Sequence, residues 1–136
     1  MLVSRIICKP VRTITPDTPV RAAAVLMGEL CIGALPVCIN GRPVGIVTDR
    51  DIAIRWASRL LSDCPVALIM TRRVVTCLDS QTIEKAAHLM SASRIRRLVV
   101  LDHQGMVAGL ISLGDIAKDA SEELAGQTLG EIVERL

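Results

Sequence analysis

Short apolar runs alternate with helical apolar stripes along this chain, and the order of elements occurs twice. Ala34 to Ile39 and Pro43 to Val47 are apolar runs of strand length joined around Asn40-Gly41, a dipeptide that favours a tight hairpin turn. Upstream, Val20, Ala23, Ala24, Met27 and Cys31 recur at i, i+3, i+4 spacing and predict a helix that buries one stripe. Thr18 is its expected N-cap, Pro19 its first residue and Gly33 its stop. A short strand is expected at Val11 to Ile14, and a second helix from Thr48 or Asp49 to about Leu61. The second half repeats the order. Val74 to Cys77 reads as a strand, and Ser80 caps a helix carrying Ile83, Ala86, Ala87 and Met90. Leu98 to Leu101 then pairs with Met106 to Ile111, and Ser112 opens the next helix. The expected class is therefore α+β, built as two β-α-β-β-α repeats over 5–62 and 66–120. Ser62 to Val66 is the joint between them. Residues 121–136 form an amphipathic tail with Leu124, Leu129, Ile132, Val133 and Leu136, which either packs on its own domain or makes a dimer contact.

The two halves also match residue by residue. Gly45-Ile46-Val47-Thr48-Asp49-Arg50-Asp51 has a second version 64 residues on, Gly109-Leu110-Ile111-Ser112-Leu113-Gly114-Asp115. Both read glycine, two apolar residues, a hydroxyl residue, two variable positions, aspartate. Thr15 to Val20 matches Cys77 to Thr82, and Ala34-Leu35-Pro36-Val37 matches Arg96-Arg97-Leu98-Val99, each at an offset of 62. The two extra residues of the second copy fall between Asp102 and Gly105, in a turn, where insertion is tolerated.

Composition narrows the functions available. Of 136 residues, 51% are apolar and 22% charged, which suits a folded chain with a sizeable core. Trp56 is the only aromatic residue, so a base bound here lies between aliphatic side chains and backbone. Single-stranded nucleic-acid modules, which stack bases on aromatic rings, are disfavoured. A net charge of +2 is too balanced for a nucleic-acid surface, although Arg72-Arg73 and Arg94-Ile95-Arg96-Arg97 are local basic clusters. The five cysteines show no Cys-x-x-Cys or Cys/His spacing, so no metal site is expected; they read as reduced, mostly buried residues of a cytoplasmic protein. No apolar run reaches the ~20 residues of a membrane span, and the apolar N-terminal stretch is too short for a signal peptide. Nothing resembles a nucleophile-base pair or paired carboxylates on one helix face, so an enzyme is not expected.

The chemistry of the chain concentrates in the repeated stretch. Thr48 and Ser112 stand where a strand hands over to a helix, where free N–H groups favour phosphate and the hydroxyl adds a donor. Asp51 and Asp115 lie three residues on, and a carboxylate there can accept hydrogen bonds from both hydroxyls of a ribose diol. The same spacing is that of a capping box, which stabilises a helix with no ligand at all. Spacing alone leaves both readings open.

Tandem β-α-β-β-α units that each end in Gly, two apolar residues, Thr/Ser-x-x-Asp resemble a pair of CBS domains, the module named after cystathionine β-synthase. Gly33-Ala34-Leu35-Pro36-Val37-Cys38 before the hairpin and Met70-Thr71 opening the second copy fit as well, and the resemblance spans roughly residues 5–120. It implies two repeats packed through their sheets as one pseudo-two-fold module. It also implies a cleft for adenosine compounds such as AMP, ADP, ATP, NAD or S-adenosylmethionine, with the nucleotide a regulatory ligand and no other cofactor. One implied site joins Thr48, Arg50 and Asp51 to Cys77, Arg96, Arg97 and Leu98; the other joins Ser112 and Asp115 to Thr15, Ala34, Leu35 and Pro36. With three arginines, the first is expected to hold phosphorylated adenosine more tightly. The resemblance further implies a homodimer, an energy-sensing role and an unidentified regulated protein, with no nucleic-acid or membrane partner. The competing expectation is a dimerisation module whose sites have degenerated.

Overall fold

The computed structural model describes residues 1–7, 11–59 and 62–134. Two compact units are formed: Arg12–Val74, and Met1–Val11 together with Val75–Leu136. These units are not the sequence repeats, because each includes the opening segment of the other repeat.

In the first unit, helix α1 (Val20–Leu30) leads into the antiparallel hairpin β1 (Ala34–Ile39) and β2 (Arg42–Thr48). Asn40 and Gly41 have φ of 52° and 77°, the left-handed pair of a two-residue hairpin turn, as the sequence predicts. The expected strand at Val11 to Ile14 shrinks to one parallel bridge, Ile14 with Val37. Ile14 N donates to Pro36 O and Ile14 O accepts from Cys38 N, but Pro16 has no N–H with which to extend the ladder. After β2 comes a single α turn, α2 (Asp49–Asp51), continued by a π-helical stretch (Ile52–Trp56) and a 3-10 turn (Ala57–Arg59). Leu60 and Leu61, the expected end of this helix, lie outside the described residues. Val20, Ala23 and Met27 of the predicted stripe are buried with Leu35, Val37 and Val47 in one cluster. Cys31 is exposed, because it ends α1 in a left-handed conformation (φ 53°) in place of the expected stop at Gly33.

The second unit runs β3 (Thr76–Leu78), α3 (Ile83–Ser93), β4 (Arg97–Leu101), β5 (Val107–Ser112), α4 (Leu113–Asp119) and α5 (Glu122–Glu134). Its sheet has the order β3-β4-β5, parallel then antiparallel. The predicted stripe Ile83, Ala86, Ala87 and Met90 is buried against Leu98, Val100, Ile111 and Ile116. Helix α5 packs on α3 and α4 of this unit, with Ser91 Oγ donating to Glu131. Its buried face is Ala125, Thr128 and Ile132, whereas Leu129 and Val133 are exposed. The expected apolar stripe is thus only half right: Thr128 packs inward because its hydroxyl is satisfied by Leu124 O at 2.7 Å.

The helix starts differ from expectation in an informative way. Pro19, not Thr18, is the N-cap of α1 and makes no side-chain cap. The open donors are met instead by Cys64 O (from Val20 N, 2.8 Å) and Asp63 Oδ1 (from Arg21 N, 3.1 Å). Helix α3 is capped by Thr82, not Ser80, through Lys85 N at 3.2 Å, and Ile83 N donates to Met1 O at 3.1 Å. Segment 63–66 therefore serves α1 as Met1–Val3 serves α3, the same device in each unit.

Candidate functional site

Each repeat ends in a corner where a strand delivers a hydroxyl residue to a helix start. In the first unit, Thr48 Oγ1 accepts from Asp51 N at 3.1 Å and Thr48 N donates to Asp51 Oδ2 at 3.0 Å. In the second, Ser112 Oγ accepts from Asp115 N at 3.0 Å and Ser112 N donates to Asp115 Oδ2 at 2.8 Å. Both are complete capping boxes. The β-ladders behind them are equivalent: Thr48 stands opposite Ala34, and Ser112 opposite Arg97, so the counterpart of Ala34 is Arg97 and not Arg96 as the sequence match had it. Asp49 N donates to Gly33 O, and Leu113 N to Arg96 O, both at 2.9 Å.

The corners differ in what surrounds the carboxylate. Asp51 is only 7% exposed. Thr71 Oγ1 lies 3.2 and 3.4 Å from its two oxygens, and Arg55 Nε lies 3.6 Å from Oδ1. Thr71 is fixed by a reciprocal backbone pair with Ile46, both bonds at 2.9 Å, so the segment before it lies along β2. The approach is close enough that a Cβ on Gly45 would sit 2.6 Å from Met70 Sδ and 3.1 Å from Thr71 O. Glycine opens this motif because the strap needs that space. Asp115 is partly exposed, and among the described residues only Ser112 N bonds to its side chain.

The remaining predicted residues divide by unit. Thr15, Ala34, Leu35, Pro36, Thr48, Arg50 and Asp51 belong to the first unit, and Cys77, Arg96, Arg97, Leu98, Ser112 and Asp115 to the second. Thr15 is exposed and its hydroxyl donates to Asp17. Leu35 and Leu98 are fully buried in the clusters of their own units, so any part they take in binding runs through backbone. Arg50 and Arg96 are exposed and Arg97 is half-buried. Cys77 is buried, and its thiol is pushed up to about 11, first by burial and then by the Asp79 carboxylate; it offers no charge to a ligand at neutral pH. Thr71 and Arg55 were not singled out from sequence as site residues. Their link to Asp51 depends on the strap docking beside β2, and only the Asp51-to-Arg55 helical spacing hinted at it.

Each repeat thus carries, in the same order, a helix, an antiparallel hairpin and a hydroxyl-carboxylate corner. The CBS-domain family model matches residues 3–57 and 65–122, and the chain belongs to that family. It is 36% identical over 124 residues to the CBS domain-containing protein YhcV of Bacillus subtilis, covering 90% of this chain and 88% of that protein. The inosine-5'-monophosphate dehydrogenase of Thermoplasma acidophilum is also similar, but the match takes in only 26% of that enzyme's length. Among solved structures, the CBS domain protein PAE2072 of Pyrobaculum aerophilum complexed with AMP superimposes with a TM-score of 0.82 at 27% identity, covering 93% of this chain and 99% of that one. The CBS domain pair of protein MJ0100, in complex with 5'-methylthioadenosine and S-adenosyl-L-methionine, gives 0.79 at 30% identity, over 93% and 98%. No helix among the described residues is long and apolar enough to cross a membrane.

Proposed function

We propose that this chain is a regulatory module that binds an adenosine-containing small molecule and passes its bound state to a partner protein. The observation that carries the reading is the strand-to-helix corner itself, a hydroxyl beside a carboxylate on a repeat whose relatives hold AMP, S-adenosylmethionine and methylthioadenosine. A ribose diol donates to the carboxylate, and the hydroxyl donates to a phosphate or to a polar group in its place. With one aromatic residue in the chain, the adenine edge is read by strand backbone near residues 34–36 and 96–98. Thr15 and Cys77 open the equivalent segments beside them. Signalling follows from differential affinity, because a ligand shifts a conformational equilibrium only as far as it prefers one state. A cytoplasmic homodimer that senses cellular energy charge is the setting that this reading favours.

The completeness of both capping boxes supports a second reading, a dimerisation module in which the corners only start helices. One experiment separates them. Mass spectrometry of small molecules released from the purified chain, then titration with AMP, ATP, NAD and S-adenosylmethionine, should show binding and a rise in melting temperature. No shift at millimolar ligand supports the dimerisation module instead.

A further inference from the structure

We propose that two copies of this chain pair head to tail, the outer face of α5 of one copy docking on an exposed apolar face of the first unit of the other. This rests on the homodimer of the reading above and names its surfaces; neither surface needs a nucleotide.

The duplication supplies the comparison. Helices α1 and α3 run from cap to left-handed cap at an offset of 63 residues, Pro19 to Cys31 and Thr82 to Arg94. The opening 3-10 turns, Val3–Arg5 and Val66–Leu68, keep that offset, and the corners at Thr48 and Ser112 differ by 64. Val25, Ile54 and Leu68 of the first unit are 60%, 54% and 72% exposed. Their counterparts in the second unit are His88, Lys118 and Arg5, all exposed. A single exposed apolar residue is ordinary. Here the same fold accepts basic side chains at the same positions, so packing within the unit does not require the apolar ones.

The three positions lie on neighbouring elements. The Arg55 guanidinium donates to Ile69 O and Met70 O at 3.3 Å each, which sets the turn ending at Leu68 beside the helical stretch that carries Ile54. Through Trp56 the same stretch meets α1: the Arg21 guanidinium lies 5.6 Å from the ring centre, one turn from Val25. Ala53 and Ala57 of that stretch are exposed as well. The rim is basic. Of the exposed charged residues in 49–59 and 66–73, Arg50, Arg55, Arg59, Arg72 and Arg73 are basic and only Asp49 is acidic.

Helix α5 offers the complement. Leu129 and Val133, one turn apart, are 39% and 50% exposed, outside the buried face of Ala125, Thr128 and Ile132. Gly126 and Gly130 continue that side. Neither has a positive φ, and a Cβ on either would meet nothing within 4 Å. Glycine weakens a helix and permits close approach of another backbone; among the described residues no such backbone is present, and a second copy supplies it. Residues 122–134 carry four glutamates, all exposed, and no basic residue. An acidic apolar helix thus meets an arginine-rimmed apolar face, and opposite charge steers the two together. The family match ends at residue 122, where α5 begins, so half of this contact lies outside the repeats. The pairing joins unlike surfaces, and a two-fold dimer makes it twice.

Sedimentation equilibrium of the full chain tests the pairing. The wild-type chain should be a dimer that weakens as salt rises. Ile54→Lys with Leu68→Arg installs the residues that the second unit already carries at those positions, and Leu129→Lys with Val133→Lys alters the α5 face. Each pair should keep the wild-type circular dichroism and weaken the dimer at least about tenfold. Leu68→Arg alone, at the most exposed of the three positions, gives the same comparison if the double variant melts early. Mixed in equal amounts, the two double variants should associate again, because one intact pairing remains: α5 of the first with the apolar face of the second. A dimer unaffected by either pair of substitutions, or variants that stay apart when mixed, overturns the head-to-tail pairing and leaves the homodimer standing. A monomeric wild-type chain overturns both, while titration with adenosine compounds still decides the ligand reading.

Discussion

Cys31 ends α1 with φ at 53°, and Arg94 ends α3 with φ at 56°. For a side chain with a Cβ that conformation costs about 1 kcal/mol or more, and glycine relieves it. Cys31→Gly should therefore raise stability by about 1 kcal/mol, seen as a higher urea midpoint at unchanged slope. A drop in midpoint would mean that the thiol packs usefully where it looks exposed. Cys77 gives a second, pH-dependent expectation. Its thiol ordinarily titrates at 9.0 and is pushed up to about 11, chiefly by burial. Below pH 9 both states keep the proton; between about 9 and 11 only the unfolded chain releases it, so stability falls as pH rises. The full span is on the order of 3 kcal/mol, and burial of Cys38 acts in the same direction. Urea titrations of the wild-type chain and Cys77→Ala from pH 8 to 11 should show a steeper decline in the wild type. Neither left-handed helix end was legible in the sequence, which pointed to Gly33, because nothing about cysteine or arginine announces a positive φ. The buried stripes were legible, since apolar spacing records burial directly.

At the scale of the element, the two corners show what a motif can and cannot say. Hydroxyl-x-x-aspartate was readable as a capping box, and both boxes are present with all four bonds between 2.8 and 3.1 Å. Thr48→Ala and Ser112→Ala should each cost about 1 kcal/mol in thermal or urea unfolding, while Thr48→Ser should be nearly neutral. A Thr48→Ala chain as stable as wild type would show that Thr71 and Arg55 alone hold Asp51 in place. The motif could not say that Asp51 also accepts from Thr71, because that depends on a strap contributed from 20 residues away in sequence. The start of α1 was misplaced for the same reason: its donors are met by Asp63 and Cys64, far from the helix in sequence, and a local search for capping residues finds Thr18 instead. At α3 the cap is local, and the hydroxyl residue that serves is Thr82, two positions after Ser80.

For the molecule as a whole, duplication in sequence and compactness in space follow different boundaries. The repeats run to about Leu61 and from Val66, yet the compact units divide at Val74 and draw Met1–Val11 into the unit that holds the second repeat. Periodicity cannot reveal this, because an opening segment reads the same whichever core receives it. The consequence can be measured. Val3, Ile6 and Ile7 are each 8% exposed or less and belong to the cluster with Ile83, Met90, Leu98 and Ile116. Val3 N donates to Gln81 O at 2.9 Å, Ser4 N to Asp79 O at 3.0 Å, and Ile83 N to Met1 O at 3.1 Å. Burying three aliphatic side chains contributes roughly 1.5–3 kcal/mol each, a large share of the 5–15 kcal/mol typical of a whole domain. Deleting residues 1–7 should therefore lower amide-exchange protection in α3, β3 and β4 while leaving α1 and the β1-β2 hairpin close to their wild-type rates. A loss confined to α1 and the hairpin would show that the N-terminal segment supports its own repeat, and an equal loss throughout would show that the chain opens as one cooperative body.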